Sequence, residues 1–314
     1  MNTARETFAG DAAVIRDLVG YGSTPPDPRW PGGARVAVQF VVNYEEGAEN
    51  SVLNGDAGSE AFLSEMVGAA SHPARAMAME SLYEYGSRAG FWRLHRLFAE
   101  RDLPVTVFGV ARAMEMNPAA VQAMLAAGWE IASHGLRWID YQYVPEEVER
   151  DHIAKAVALH ERLTGARPLG WYQGRTSPNT ARLVAEEGGF AYDADSYADD
   201  LPYWDTRFGR PQLVVPYTLD VNDMKMVALN GFTEGEQFFR HMRDTFDQLR
   251  EEGGRMMSVG LHARIAGKPG RARWLARFLD HVLASGDAWV ARRIDIARHW
   301  MEVHPYQGGA HADQ

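Results

Sequence analysis

Two adjacent carboxylates, Glu45 and Glu46, stand at the end of an apolar run in the stretch "FVVNYEEG". The run is typical of a buried strand, so both acids are expected at the carboxyl end of that strand. Carboxylates in such a place can take a proton from water or bind a metal ion. Because neighbouring side chains point in different directions, one of the two could instead face solvent or cap a helix.

Histidines, an arginine and further acids follow other predicted strands. His134 comes directly after "WEIAS", and His262 ends "RMMSVGLH", where a polar ring is costly to bury without a role. The remaining candidates at strand ends are Arg175, Asp193, Asp195, Asn222 and Asp223. Carboxylates and histidines together suit the activation of water for attack on a carbonyl carbon.

Several of these side chains also have a structural interpretation. His134 could be a buried, hydrogen-bonded histidine. Arg175 could serve only to orient a neighbouring carboxylate. Asp193 and Asp195 could cap loops. The sequence contains no G-x-S-x-G elbow for a serine nucleophile, and no G-x-G-x-x-G or phosphate loop. Histidines on predicted helices or loops are assigned no role: His72, His95, His152, His160 and His299.

Strand-like and helix-like segments alternate along the chain, beginning with a strand at Ala34–Val42 and an amphipathic helix at Ser87–Asp102. Seven or eight such strands predict an α/β fold with a parallel sheet, closed as a barrel or open and doubly wound. In a barrel the carboxyl ends of the strands share one face, where the polar clusters would meet as an active site. We therefore predict one domain at 35–305, an irregular segment 1–34 packed on it, and a tail at 306–314.

The composition limits the classes of binding partner and the cellular compartment that are expected for this protein. The 314 residues carry a formal net charge of −10 and include no cysteine. The acidic balance argues against nucleic acid or an anionic membrane as partner, because phosphate groups bind basic surfaces. Disulfides and thiolate ligands are excluded. The N-terminal residues carry acids and no long apolar run, so no signal peptide or anchor is expected and the cytoplasm is the predicted location.

These clusters, in this order, resemble the polysaccharide deacetylase superfamily, whose fold is a distorted seven-stranded, TIM-like (β/α)7 barrel. The resemblance implies that Glu45 and Glu46 replace an aspartate pair of general base and metal ligand. It also implies that His134 replaces the first histidine of a metal-binding H-x-x-x-H motif. Trp138 stands where the second histidine is expected. The resemblance thus implies no metal or other cofactor, with a weak divalent site at Glu46 and His134 as the alternative.

Longer stretches, such as "SHGLRWIDYQY" and "GWYQGRTSPNT", resemble the allantoinase branch of this superfamily from Leu18 to Pro305. That branch is understood to open the hydantoin ring of allantoin to allantoate in purine breakdown, without a metal. The resemblance implies that the substrate is a small cyclic ureide. It also implies that the protein is a homo-oligomer, and specifically a tetramer. Three alternatives remain: hydrolysis of a related cyclic imide, metal-dependent N-deacetylation of a polysaccharide, and a non-catalytic ligand-binding barrel.

The resemblance also implies roles for individual residues. Glu45, oriented by Arg175, would take a proton from the attacking water, and His262 would protonate the departing ring nitrogen. His134, backbone N–H groups and a protonated or hydrogen-bonded Glu46 would stabilise the oxyanion. The expected contacts of the ring are Trp138, Tyr172, Asn222 and Asp223, together with His134.

Overall fold

The computed structural model describes residues 16–66, 68–228 and 231–308. The strands in these residues are β1 (Val36–Tyr44), β2 (Thr106–Gly109), β3 (Glu130–Ser133), β4 (Gly170–Trp171), β5 (Tyr192–Asp193), β6 (Tyr203–Asp205), β7 (Gln212–Val214), β8 (Arg255–His262) and β9 (Ala288–Val290). They form a sheet in the order β6-β7-β5-β4-β3-β2-β1-β8, and β9 also pairs with β1. All pairings are parallel except that between β6 and β7.

Helices connect most of the strands, as the alternating pattern predicts. They are α1 (Met77–Tyr85), α2 (Phe91–Ala99), α3 (Ala111–Met116), α4 (Pro118–Ala126), α5 (Glu146–Thr164), α6 (Thr180–Glu187), α7 (Gly235–Glu252), α8 (Pro269–Ser285) and α9 (Arg293–Val303). Their ends follow from local chemistry. The side chain of Asn117 accepts a hydrogen bond from the backbone N–H of Ala120, the third residue of α4. Pro118, the first residue of α4, has no N–H, but at this position of a helix the N–H has no partner within the helix. Gly165, with φ 82°, ends α5.

The longest strand, β1, lies at the centre of the domain, and all of its residues are buried. Val38, Phe40 and Val42 pack in an apolar cluster with α2, α7 and α8. Ala37 and Val41 face the opposite side, where aromatic residues of the barrel interior form a second cluster. This alternation follows from the two-residue period of a strand covered on both faces.

The sheet curls into a distorted barrel, which confirms the predicted single-domain fold. Its two ends approach each other between β8 and the segments before β6 and after β7. The N–H of Gly260 donates to the carbonyl of Val221 at 2.8 Å, and Met256 donates to Asp200 at 3.0 Å. The carboxyl ends of the parallel strands therefore face one rim.

Two details differ from the sequence prediction. Helix α2 begins at Phe91 rather than Ser87, because Gly86–Gly90 form a π-helical turn between α1 and α2. The short strand β6 runs antiparallel to β7 at the edge of the sheet. The first of these details bears on the candidate site, since Gly86 packs against Glu46.

The described part of the N-terminal segment contacts the barrel through Trp30. Its ring is buried and lies 5.7 Å from that of Trp289, and its indole N–H donates to the carbonyl of Arg255 at 2.9 Å. Residues 1–15 of the predicted segment lie outside the described residues. Among the described helices, none combines the length and apolar character needed to cross a membrane.

Candidate active site

Glu45 lies one residue beyond the end of β1, and three side chains converge on its carboxylate. Arg264 Nη1 lies 2.7 Å from Oε2, and His134 Nε2 lies 3.3 Å from Oε1. His262 Nε2 lies 3.4 Å from the same Oε1. The exposed fractions are 1% for Glu45 and His134, 3% for Arg264 and 5% for His262. The structure thus brings together three sequence-predicted residues and adds a fourth, Arg264. These four side chains form the cluster of the candidate site.

The neighbours of Glu45 keep its carboxylate ionised. Burial alone would raise the pKa of Glu45, but the charges of Arg264 and His262 and the hydrogen bonds of both histidines hold that pKa well below its usual value. An ionised carboxylate can only accept hydrogen bonds, so Nε2 of His134 is a donor to it. Glu45 is therefore a fixed negative charge surrounded by donors.

His262 lies between two carboxylates at the end of β8. Its Nδ1 donates to Oδ1 of Asp223 at 2.6 Å, while Nε2 faces Glu45. Burial alone would lower the pKa of His262, but the charges of Glu45 and Asp223 outweigh it and raise that pKa to about 9. At neutral pH His262 is accordingly an imidazolium with a proton on each nitrogen, which suits a general acid.

Asn222 and Asp223 do not have the free polar atoms that we predicted for substrate contacts. Asp223 is fully buried, and its Oδ2 accepts the backbone N–H groups of His262 at 2.8 Å and Ala266 at 2.9 Å. Asn222 accepts the N–H of Met224 at 3.0 Å and caps the turn that contains Asp223. Both residues therefore position His262. The sequence shows them as polar residues after a strand, without indicating which group they contact.

The predicted contact between Arg175 and Glu45 was wrong. The Arg175 guanidinium lies 3.6 Å from Glu60 and against the rings of Phe62 and Trp138. The arginine that holds Glu45 is Arg264, which the sequence analysis missed. A usable signal existed, because Arg264 is the one arginine or lysine in the stretch "LHARIAG" at the end of a buried strand.

Glu46 holds the backbone around Glu45. Its Oε2 accepts the N–H of Glu45 at 3.1 Å, and Oε1 accepts the N–H of Arg264 at 3.2 Å. Burial raises the pKa of Glu46, and the charge of Glu45 adds to this, against the opposing charge of Arg264. A Cβ atom at Gly86 would come within 2.3 Å of Glu46 Oε1, so the π-helical turn needs glycine there. Both carboxylate oxygens of Glu46 are thus used by backbone donors.

Aromatic side chains form the wall of the site. Tyr172 stacks on Phe108 with 4.6 Å between ring centroids, lies 4.9 Å from the His134 ring, and bonds through its hydroxyl to Tyr197. Trp138 is buried with its ring 5.2 Å from the Arg264 guanidinium. Both predicted contact residues therefore lie beside the cluster.

Asp193 and Asp195 organise a neighbouring loop. Asp195 accepts the N–H groups of Gln173 at 2.8 Å and Gly174 at 2.7 Å, and Asp193 accepts the N–H of Asp195 at 2.9 Å. Both carboxylates are therefore hydrogen-bonded to backbone groups near Arg175, as in the loop-capping interpretation.

A divalent cation does not fit the alternative site at Glu46 and His134. Among the described residues, no three histidine, aspartate or glutamate side chains are grouped to hold one. Trp138 offers no ligand, and the oxygens of Glu46 already accept two backbone N–H groups. Arg264 lies 2.7 Å from Glu45 and 3.6 Å from Glu46, so a positive charge already occupies the region between the carboxylates. A second cation there would be repelled.

A loop at residues 61–66 covers the cluster. The carbonyl of Leu63 accepts Arg264 Nε at 3.2 Å, and the carbonyl of Phe62 accepts the Tyr83 hydroxyl at 3.2 Å. The Phe62 ring stacks on Trp138 at 6.0 Å. Leu63 takes a left-handed φ of 53°, which is uncommon for a bulky residue. Together with the low exposure of the cluster, these contacts make the site an enclosed one.

Known proteins are similar in sequence to this chain over nearly its full length. The family model "Polysaccharide deacetylase" matches residues 73–192. A protein of Schizosaccharomyces pombe, provisionally named a polysaccharide deacetylase, is 42% identical over 93% of this chain and 98% of its own length. The chain belongs to the polysaccharide deacetylase family. This membership, with the buried carboxylate and histidines at the strand ends, identifies a hydrolase of the deacetylase superfamily.

Two solved structures of the polysaccharide deacetylase fold are similar to this chain. One, from Pseudomonas aeruginosa PAO1 and provisionally named a polysaccharide deacetylase, is 57% identical, with a TM-score of 0.92 over 94% of this chain and 100% of that one. The other is the Puue allantoinase, 55% identical, with a TM-score of 0.92 over 94% of this chain and 99% of that one. The family thus includes close relatives whose names indicate different substrates.

Proposed function

We propose that this protein opens a small cyclic ureide, the hydantoin ring of allantoin, by hydrolysis without a bound metal. The observation that carries the proposal is the enclosed contact of Glu45 with Arg264 and His262. It combines a carboxylate base, an imidazolium acid and a fixed cation in the place where a metal-dependent hydrolase would use a metal ion. The similarity to the Puue allantoinase supports this substrate class.

The first step forms a bond between water and the ring carbonyl carbon. Glu45 accepts one proton from the water as its oxygen attacks, and the carbonyl electron pair moves to the oxygen. His134 donates to Glu45 Oε1 at 3.3 Å and so fixes the carboxylate during the transfer. The product of this step is a tetrahedral oxyanion beside a protonated Glu45.

The second step breaks the bond between the carbonyl carbon and the ring nitrogen. The oxyanion re-forms the carbonyl as the electron pair of that bond leaves with the nitrogen, which takes the proton on His262 Nε2. Glu45 then returns its proton across the 3.4 Å between Oε1 and Nε2, which restores the imidazolium. The ring-opened acid ionises to a carboxylate and releases one proton to solvent. One water is consumed in each turnover.

The enclosure of the site favours a small ring over a saccharide chain. A polymer needs an open groove on both sides of the reacting amide, whereas the loop at Phe62 and Leu63 lies over the cluster. Removal of bulk water also strengthens each charge interaction around Glu45.

Hydrolysis of a substrate panel tests the proposal. Purified protein, dialysed against EDTA, is offered allantoin, hydantoin, dihydrouracil, succinimide and an N-acetylglucosamine oligomer. Mass spectrometry then records the addition of water or the loss of acetyl groups. We expect ring opening of allantoin first, with the same kcat before and after chelation, because no step uses a metal.

Other outcomes of this panel would assign another activity. Loss of acetyl groups from the oligomer, dependent on added divalent metal, would replace the proposal with a polysaccharide N-deacetylase. Preference for succinimide would make the protein a cyclic imide hydrolase. Ring opening that disappears with EDTA and returns with a metal would contradict the metal-free mechanism.

The pH dependence of kcat tests the role of His262. Since its pKa is raised to about 9, the acidic form persists at neutral pH and is lost as the pH rises through that value. We expect kcat to stay level from about pH 6 to about pH 8 and then to fall about tenfold per pH unit above about pH 9. Steady-state rates in buffers of constant ionic strength measure this profile, and a kcat that increases through pH 9 would contradict it.

A further inference from the structure

Arg264 occupies a special place in the cluster. It lies two residues beyond the end of β8, and its backbone N–H donates to Glu46 at 3.2 Å. Its guanidinium lies 4.2 Å from the centre of the Tyr83 ring and 5.2 Å from that of Trp138. The side chain is almost fully buried, and the two rings fix its plane.

Two of the three guanidinium nitrogens have acceptors. Nη1 donates to Glu45 at 2.7 Å and Nε donates to the carbonyl of Leu63 at 3.2 Å. Nη2 is buried and has no hydrogen-bond partner among the described residues. A guanidinium carries its donors in a rigid fork, so the position of Nη2 is set by the other two. A buried, charged donor that lacks an acceptor is costly unless a ligand supplies one.

We infer that Arg264 is a catalytic residue whose Nη2 donates to the substrate carbonyl oxygen and stabilises the oxyanion. The inference rests on the proposed function and adds the group that takes up the developing negative charge. A preorganised cation in a water-excluded site is effective in this role, because it needs no reorganisation as the charge forms. In metal-dependent amide hydrolases a bound cation supplies the same stabilisation.

When Arg264 shares its positive charge between Glu45 and the oxyanion, the basicity of Glu45 increases. In the resting site Arg264 and His262 hold the pKa of Glu45 well below its usual value, against the raising effect of burial, which makes the carboxylate a weak base. As the oxyanion forms, the guanidinium interacts with two negative groups rather than one, and its effect on Glu45 decreases. Arg264 keeps its proton throughout, since burial lowers its pKa less than the neighbouring Tyr83, Glu45 and Glu46 raise it. Water attack and proton uptake by Glu45 thereby become coupled.

A purely structural role for Arg264 makes different predictions. Neutralisation of Glu45 and Glu46 would require only a positive charge, which lysine also supplies. Lysine cannot place three donors in one plane, so Arg264→Lys keeps the charge and removes the Nη2 donor. The matched control is Arg271→Lys, because Arg271 contacts the covering loop at Glu65 and takes no part in the cluster.

The test compares kcat and KM of these variants on the substrate that the wild-type protein hydrolyses. We expect Arg264→Lys to keep its circular dichroism spectrum and to lose about 10²- to 10³-fold in kcat, with KM changed less than about tenfold. Arg271→Lys should match the wild type. In Arg264→Ala, guanidinium chloride well below denaturing concentration should restore part of kcat, whereas methylammonium chloride should not. A wild-type kcat in Arg264→Lys, or an effect confined to KM, would overturn the inference.

A binding measurement keeps this test separate from the proposed function. The oxyanion forms at any amide carbonyl, so the same kcat comparison applies if the wild type deacetylates saccharides and opens no ring. Independently of turnover, calorimetry measures the affinity of each protein for the ring-opened acid, whose carboxylate can accept from Nη2. We expect Arg264→Lys to bind at least about tenfold more weakly than the wild type and Arg271→Lys. Equal affinities, or no binding by the wild type, would overturn the inference.

Discussion

Glu45→Gln is expected to lower kcat for ring opening by about 10³-fold, within the range of general base catalysis. The amide matches the carboxylate in shape and can still accept from Arg264 Nη1, but it cannot take a proton from water. Loss of the charge should also lower the pKa of His262, because Glu45 is a cause of its rise. Product formation by mass spectrometry, under conditions that saturate the wild-type protein, gives this kcat.

Glu65→Gln is the matched control for this variant. It makes the same chemical change on the covering loop, where Glu65 pairs with Arg271 at 2.6 Å and is partly exposed. Its kcat should remain within about twofold of the wild type, as surface charge pairs contribute little. Turnover by Glu45→Gln at the wild-type rate would remove Glu45 from the mechanism and leave His134 as the next candidate base.

Asp223→Asn is expected to lower kcat about 10²-fold or more and to move the alkaline limb of its pH profile downward. Asparagine removes a negative charge 2.6 Å from His262 Nδ1, so the pKa of His262 falls from about 9 toward its ordinary value. The imidazolium then loses its proton at a lower pH. The pH–kcat profile measures the shift, which a change in stability alone would not produce.

The stability of Asp223→Asn also needs measurement, because Asp223 accepts two backbone N–H groups through Oδ2. An amide nitrogen in that position would face a donor, so we expect a lower Tm together with the kinetic effect. Asp220→Asn is the control, since Asp220 pairs with Lys225 at the surface, two residues before Asn222. An unshifted alkaline limb in Asp223→Asn would show that Asp223 has no electrostatic effect on His262.

The sequence predicted the features that depend on periodicity and on the ends of long strands. The buried run of β1 and the run of β8 are unambiguous in the sequence, and both end at residues of the cluster. Parallel pairing of these strands, with Asn43 opposite His262, brings Glu45 and His262 together. For such strands, the residue type at the carboxyl end is enough to indicate a site.

Side-chain direction in the short loops could not be predicted in the same way. Arg175 and Arg264 both follow strands and both are cations, but only backbone geometry decides which one reaches Glu45. Likewise, Asp223 reaches His262 because Asn222 caps a turn near β8. Three elements were not predicted: the helices α1 and α3, and strand β6, whose three residues give too little periodicity to distinguish it from a loop.

The left-handed backbone of Leu63 has a consequence for each catalytic cycle. A leucine with φ 53° is held in that state at a cost of about 1 kcal/mol, and the donors Tyr83 and Arg264 bind the carbonyls of Phe62 and Leu63. Because the cluster is enclosed, we expect this loop to lift when a substrate enters and when a product leaves. Lifting of Phe62 and Leu63 breaks these two hydrogen bonds but lets Leu63 return to an ordinary conformation. The free energy of opening this loop is therefore lower than the loss of its contacts alone would make it.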